Sequence, residues 1–273
     1  MSVDEEFDGP YALPRLYVHL LPRLIPEGCL AGGVAIIVDI LRASTVIAQA
    51  LASGCAEVVP CVEVDEARAE GARRPLGSAF LGGERNGLPI EGFDLGNSPS
   101  SYTPQVCAGQ TLVFTTTNGT RAIHAALSAS RVLVAAFVNL SATAENVLRE
   151  GRTAHIVCAG TDGAVSWEDT LFAGALAARL TLSAPSPYTP ANDAAQVALA
   201  LWLSYSEQHE NLEDLLASGL GGRRVRRLGL GQDIHDAARI DCHDLVAVVT
   251  RDPLRILATE KGARFPDIMD TIR

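Results

Sequence analysis

Aromatic residues are scarce in this 273-residue chain, at 5%. Its core must therefore be assembled from Ala, Val and Leu, the composition of helices packed on a buried sheet. None of the six cysteines (Cys29, Cys55, Cys61, Cys107, Cys158, Cys242) forms a CxxC pair. Several lie in apolar runs, so they read as reduced core residues of a cytoplasmic protein. Residues 1–9 are acidic and lack a cationic segment, so no secretory signal is expected. The longest apolar run, around 30–41, is interrupted by glycines and Asp39 and is too short for a bilayer. A net charge of −10 argues against nucleic acid or an anionic membrane as partner. At this length the chain can still bury a substantial core.

Familiar phosphate chemistry is missing as well. There is no GxxxxGK[ST] loop, no DxDxT, no GNH and no cysteine followed six residues later by arginine. Cys158 is thus a poor nucleophile candidate.

What is present is one arrangement used four times. The segments VAIIVDILRAST (34–45), TLVFTTTNGTRAI (111–123), VLVAAFVNLSATAENVL (132–148) and AHIVCAGTDGAVSWEDTLFAGAL (154–176) each pass from an apolar run through a polar cluster into a helical pattern. Parallel strands would bring those clusters to one sheet edge, where α/β proteins bind ligands, beside helix N-termini that attract phosphate. The expected fold is a three-layer α/β/α sandwich with a largely parallel or mixed sheet. Residues 1–13 read as a loose leader, 14–182 as the α/β core and 183–190 as a linker. Residues 191–273 read as a helical and strand part packed on the same core. A helix is expected over 191–218, another over 229–241, and a last strand over 245–250. The loop 82–104 is too long and polar for a mere connector.

Each cluster has a chemical and a plain reading. Asp39, Arg42, Ser44 and Thr45 suit metal-assisted phosphate binding, or equally a helix cap with an Asp39–Arg42 ion pair. The loop carries Glu84, Arg85, Asn86, Asp94 and Asn97 among glycines that let backbone approach a ligand, or is an ordinary charged surface. Thr117, Asn118, Gly119 and Thr120 form a turn that can cradle an anion, with Arg121 as clamp, or simply cap a helix. Asn139 lies where strand 132–137 gives way to helix 141–150. Gly160 and Thr161 follow a strand. Glu168 and Asp169 open a helix, as metal ligands or as dipole complements. The triplets Asp233–His235 and Asp241–His243 are weak ligand candidates. Arg223, Arg224, Arg226 and Arg227 read as a solvated turn.

Taken in order, VDILRAST, GGERNG, GFDLGNSP, TTTNGTRA and CAGT…EDTLFAGA closely resemble the 2-phosphosulfolactate phosphatase family, over roughly residues 34–250. The resemblance implies Mg²⁺-dependent removal of phosphate from 2-phospho-3-sulfolactate, a step of coenzyme M biosynthesis in methanogens. In that reading Asp39 and Asp169 hold Mg²⁺, with Glu84 as third ligand or as base for water. Arg42, Arg121 and backbone 117–120 bind phosphate, and Ser44, Arg85, Asn97, Asn139, Gly160 and Thr161 complete the substrate site. An acidic protein can hold so anionic a substrate only by gathering Mg²⁺ and arginines in one cleft. Two other readings stay open. One is a phosphatase of the same mechanism on another small phosphorylated acid; the other is a non-catalytic binder of an anionic metabolite. A homodimer is also left open.

Overall fold

The computed structural model describes residues 13–182, 188–208 and 211–260. The expected leader therefore lies almost wholly outside the described residues. Among the described residues there are eleven strands: β1 (Arg15–His19), β2 (Val34–Val38), β3 (Glu57–Cys61), β4 (Ala79–Arg85), β5 (Leu88–Pro89), β6 (Thr111–Thr115), β7 (Arg131–Ala135), β8 (Ala154–Cys158), β9 (Thr189–Pro190), β10 (Leu245–Arg251) and β11 (Leu254–Glu260). They form one sheet in the order β5-β4-β6-β3-β11-β10-β7-β2-β8-β1-β9.

The helices are α1 (Ala43–Ala52), α2 (Val64–Ala72), α3 (Pro104–Cys107), α4 (Gly119–Ala125), α5 (Leu140–Glu150), α6 (Trp167–Leu182), α7 (Asp193–Glu207), α8 (Leu212–Ser218), α9 (Leu220–Arg227) and α10 (Gly231–Ala237). This is an α/β sandwich with a mixed sheet, as expected from the alternating pattern. Among the described residues no helix is long and apolar enough to cross a membrane.

The strand β2 shows why the layers form. All five residues of VAIIV are buried, and strand side chains alternate between faces. Val34, Ile36 and Val38 join a core with Phe137 and Phe172, whose rings meet edge to face at 5.2 Å. Ala35 and Ile37 join a second core with Val46 and Ile47 of α1 and Ile123 of α4. Each fully buried Phe or Ile contributes roughly 1.5–3 kcal/mol, so β2 is held from both sides. A smaller third core places Ala67 of α2 against Val59, Cys61 and Val113.

The single parallel edge expected to gather the four clusters is not what the mixed sheet provides. The strands β7, β2, β8 and β1 are mutually parallel, and so are β3, β6 and β4. Between them lies the antiparallel hairpin β10–β11, antiparallel also to β7 and to β3. Three antiparallel steps reverse direction, so the two parallel blocks run in opposite senses. Their strand ends do not share one parallel edge. Twist instead turns the blocks toward each other: at about 20–25° per strand, the five steps from β6 to β2 sum to about 100–125°. Phe114 of β6 and Ile37 of β2 accordingly pack in one core around α1 and α4.

Other boundaries differ too. The strand β11 follows β10, which is therefore not the last strand. The helix expected over 191–218 is two, α7 and α8, and the Asn211 side chain caps the second by accepting from the Glu213 N–H. The Arg cluster is not a solvated turn but the helix α9, with Val225 buried. In the stretch expected as a linker, Tyr188 is buried and Thr189–Pro190 pairs with β1.

Candidate active site

The two blocks meet at a cleft lined by Asp39, Arg42, Glu84, Asn97, Thr117 and Asn118, together with Thr161, Asp162 and residues of α9, including Arg224. Asp39 follows β2 directly. Its backbone N–H donates to Ser44 Oγ at 2.9 Å, and its Oδ1 accepts from the Ala43 N–H at 3.2 Å. The start of α1 thus fixes the carboxylate. Gly119 closes over it: a Cβ there would lie 2.5 Å from Ala43 Cβ and 2.8 Å from Asp39 Oδ2. Only a glycine lets α4 approach so closely.

Glu84 reaches in from the end of β4. Its Oε1 accepts from the Thr117 N–H at 2.8 Å and its Oε2 from the Gly87 N–H at 2.6 Å. One carboxylate thereby joins the β4 loop to the β6 loop. Asp169 lies behind Asp39 and accepts from the Ile40 N–H at 2.9 Å and the Gly160 N–H at 3.0 Å. It ties the ends of β2 and β8 together. Beside it, Glu168 is buried, with Oε2 lacking a partner, and α9 packs closely upon it through Gly219 and Gly221.

Four carboxylates are therefore crowded where water is scarce. Burial first, and then the neighbouring charges of Glu84 and Glu168, push the Asp39 carboxyl up to about 7. Burial, then Asp39 and Glu168, raise Asp169 well above the carboxylate range, and burial raises Glu168. Such a group of hard oxygen donors matches the chemistry of Mg²⁺. Their oxygens are spread, however: no three of Asp39, Glu84, Glu168 and Asp169 place ligand atoms within 4.8 Å of one another.

Positive charge enters from two places. Arg42, 4% exposed, donates to Asp233 Oδ2 at 2.6 Å and to the Gly87 carbonyl at 2.9 Å. Arg224 reaches in from α9 and pairs with Asp162 at 2.9 Å. The Asn97 Oδ1 and Thr117 Oγ1 atoms are buried without partners on the cleft wall.

The other residues singled out in the sequence sit elsewhere. Arg85 is turned away, donating to the Val62 carbonyl and to Thr115 Oγ1 at 2.8 Å each. Asn139 is fully buried and holds the Ala136 N–H and the Leu245 carbonyl. Thr120 bonds back to the Thr116 carbonyl. Ser44 and Gly160 act on Asp39 and Asp169 through the bonds given above. Arg121 points outward with its side chain 62% exposed, 3.6 Å from Glu63.

Arg224 was not a site candidate in the sequence, and Glu168 and Asp233 were marked there without being placed in the substrate or metal site. Glu168 had a signal, being adjacent to Asp169. Asp233 had a weak one in its D-x-H triplet. Nothing in GGRRVRR distinguishes Arg224 from its neighbours before α9 is placed.

The family model for 2-phosphosulpholactate phosphatase matches residues 19–252. A probable 2-phosphosulfolactate phosphatase of Caldanaerobacter subterraneus subsp. tengcongensis is 37% identical over 211 residues, covering 77% of this chain and 85% of the relative. One from Symbiobacterium thermophilum is 37% identical over 232 residues, covering 85% and 97%. One from a Cyanothece species is 36% identical over 237 residues, covering 86% and 96%. The chain belongs to the 2-phosphosulfolactate phosphatase family.

Proposed function

We propose that the protein is a Mg²⁺-dependent phosphoric monoester hydrolase that converts 2-phospho-3-sulfolactate to 3-sulfolactate and phosphate. The observation that carries this reading is the pair of buried carboxylates Asp39 and Glu84 lining one cleft with Arg42 and Arg224, with Glu168 and Asp169 buried next to Asp39. Carboxylates buried so close together without a cation are costly, and a divalent cation would relieve that cost, while Arg42 and Arg224, held by Asp233 and Asp162, add positive charge to the same cleft. Asp39 and Glu84, which line the cleft, would hold the ion, and Asp169 would fix the strand ends around it. When bound, Mg²⁺ would neutralise charge on the phosphoryl oxygens and orient the reacting groups.

The protein's own residues do the remaining work. Arg42 and Arg224 attract the phosphate, carboxylate and sulfonate of the substrate, since guanidinium donors match such oxygens. Asn97 and Thr117 offer polar atoms that have no other partner. Glu84, held by two backbone N–H groups, can orient the water that attacks the phosphorus. A P–O bond forms to the water oxygen as the P–O bond to the substrate C2 oxygen breaks, and a proton from that water ends on the C2 oxygen, which leaves as the sulfolactate hydroxyl.

Substrate choice is tested by comparing kcat/KM for 2-phosphosulfolactate and for 2-phospholactate, which lacks the sulfonate. Loss of one charge-assisted contact of about 1.5–3 kcal/mol predicts a drop of about 10–150-fold. Equal efficiencies would point to another small phosphorylated acid, and tight binding without turnover to a binder.

A further inference from the structure

Outside the cleft, one group of three side chains offers ligands of a different character. One ligand atom each of His19, Cys29 and His155 lies within 4.8 Å of the others. His19 closes β1 and His155 is the second residue of β8. The parallel register sets Tyr17 beside His155 and His19 beside Val157, so the two histidines project from one sheet face. Tyr17, His155 and His19 lie stacked in a row, at 5.1 and 5.4 Å between ring centres. Cys29 comes from the loop that precedes β2.

We propose that His19, Cys29 and His155 form a second metal site, one for a borderline or soft divalent cation of the Zn²⁺ type. The His19 Nε2 and His155 Nδ1 atoms are 3.2 Å apart. Two nitrogens bound tetrahedrally to Zn²⁺ at about 2.0–2.1 Å stand about 3.3–3.4 Å apart, so the pair is already at ligand spacing.

Hydrogen bonding alone leaves the pair incomplete. His155 is 2% exposed, yet its Nε2 has no partner. Gly33 packs on that side of the ring: a Cβ there would lie 2.9 Å from Cδ2 and 3.0 Å from Nε2. Nδ1 is thus the face offered to an ion. Burial holds both imidazoles below their ordinary pKa, His155 at about 4, which keeps them neutral and competent to ligate at pH 7. Burial pushes the Cys29 thiol up, so binding releases one proton: the S–H bond breaks, the S–metal bond forms, and H⁺ goes to solvent. Two nitrogens and a sulfur select Zn²⁺ over Mg²⁺, and the fourth position falls to water. The ion would clip the Cys29 loop to β1 and β8, away from the Asp39 end of the neighbouring strand.

The test uses the full chain, stripped with a chelator and titrated with Co²⁺ as a coloured stand-in for Zn²⁺. A thiolate-to-cobalt charge-transfer band should saturate at one equivalent. It should be displaced by Zn²⁺ but not by excess Mg²⁺, and should persist in Asp39→Asn. Cys29→Ser should abolish the band, and His155→Gln should weaken Co²⁺ binding at least tenfold. Independently of any variant, Zn²⁺ should protect Cys29 from alkylation, read by peptide mass. A wild-type chain without the band, a band that survives Cys29→Ser, or equal Cys29 alkylation with and without Zn²⁺ would overturn the proposal. A carboxylate-bound Co²⁺ in the cleft gives no thiolate band, so the two sites are told apart.

Discussion

Arg42 and Asp233, 191 positions apart in the chain, meet at 2.6 Å with side chains only 4% and 3% exposed. The pair anchors α10 to the cleft, and Ser98 Oγ adds a second bond to the same carboxylate oxygen at 3.0 Å. Removing one partner of a buried pair strands the other, at about 3–5 kcal/mol. Asp233→Ala should therefore lower stability by about that amount in urea unfolding, and turnover with it, because Arg42 loses its position. A destabilisation below about 1 kcal/mol would mean that Arg42 finds another partner.

Two arginines separate what the sequence and the geometry favour. Arg121 looked like a phosphate clamp beside its Asn-Gly turn, but it is exposed and faces Glu63. Arg121→Lys should change kcat/KM by less than about twofold, as expected of an exposed charge worth roughly 0–1 kcal/mol. Arg224→Gln should raise KM about tenfold or more, with circular dichroism unchanged, because one charge-assisted contact is lost. Steady-state kinetics on both variants checks the contrast.

Asp39 carries an asymmetry between stability and activity. Its folded pKa is raised from 3.8 to about 7 by burial and by Glu84 and Glu168. A raised carboxyl stabilises the fold fully only below its unfolded value, and that contribution is lost as pH rises from about 4 through 7. Asp39→Asn removes the titration. Metal-free Asp39→Asn protein at pH 8 should melt no lower than wild type, while turnover and any rise in Tm with Mg²⁺ disappear. A lower metal-free Tm would make Asp39 a structural ion-pair partner instead.

The opposite sign applies to His243, whose Nε2 lies 2.9 Å from Gln49 Oε1. Burial, then Arg239, hold its pKa below 6.5. Folding favours the neutral ring, so its contribution is complete above pH 6.5 and falls as pH drops below that value and the unfolded chain takes up the proton. His243→Gln should flatten the stability profile between pH 7.5 and 5.5 relative to wild type. An unchanged profile would assign acid sensitivity elsewhere.

Much of this was legible in the chain. The short runs VAIIV, TLVFT and AHIVC end at polar clusters, and each is a strand buried on both faces. Asp39, Glu84 and Thr117 could be singled out because chemistry at strand ends is local in sequence. Strand direction was not legible. It depends on β10 and β11 inserting between the two blocks, a long-range pairing that leaves no trace in a local pattern. The strand β1 was missed because RLYVH mixes polar and apolar residues. Arg224 was missed because a run of arginines looks solvated until Val225 is seen to bury one face of α9. Asn139 and Arg85 show the reverse error: polar residues at strand ends also serve to satisfy buried backbone.

Metal-assisted phosphate removal in the Asp39 cleft is read from phosphate release from 2-phosphosulfolactate by protein stripped with EDTA, before and after Mg²⁺ is restored. Release should be negligible without metal and recover fully with Mg²⁺ alone. Undiminished release from the stripped protein would contradict metal assistance.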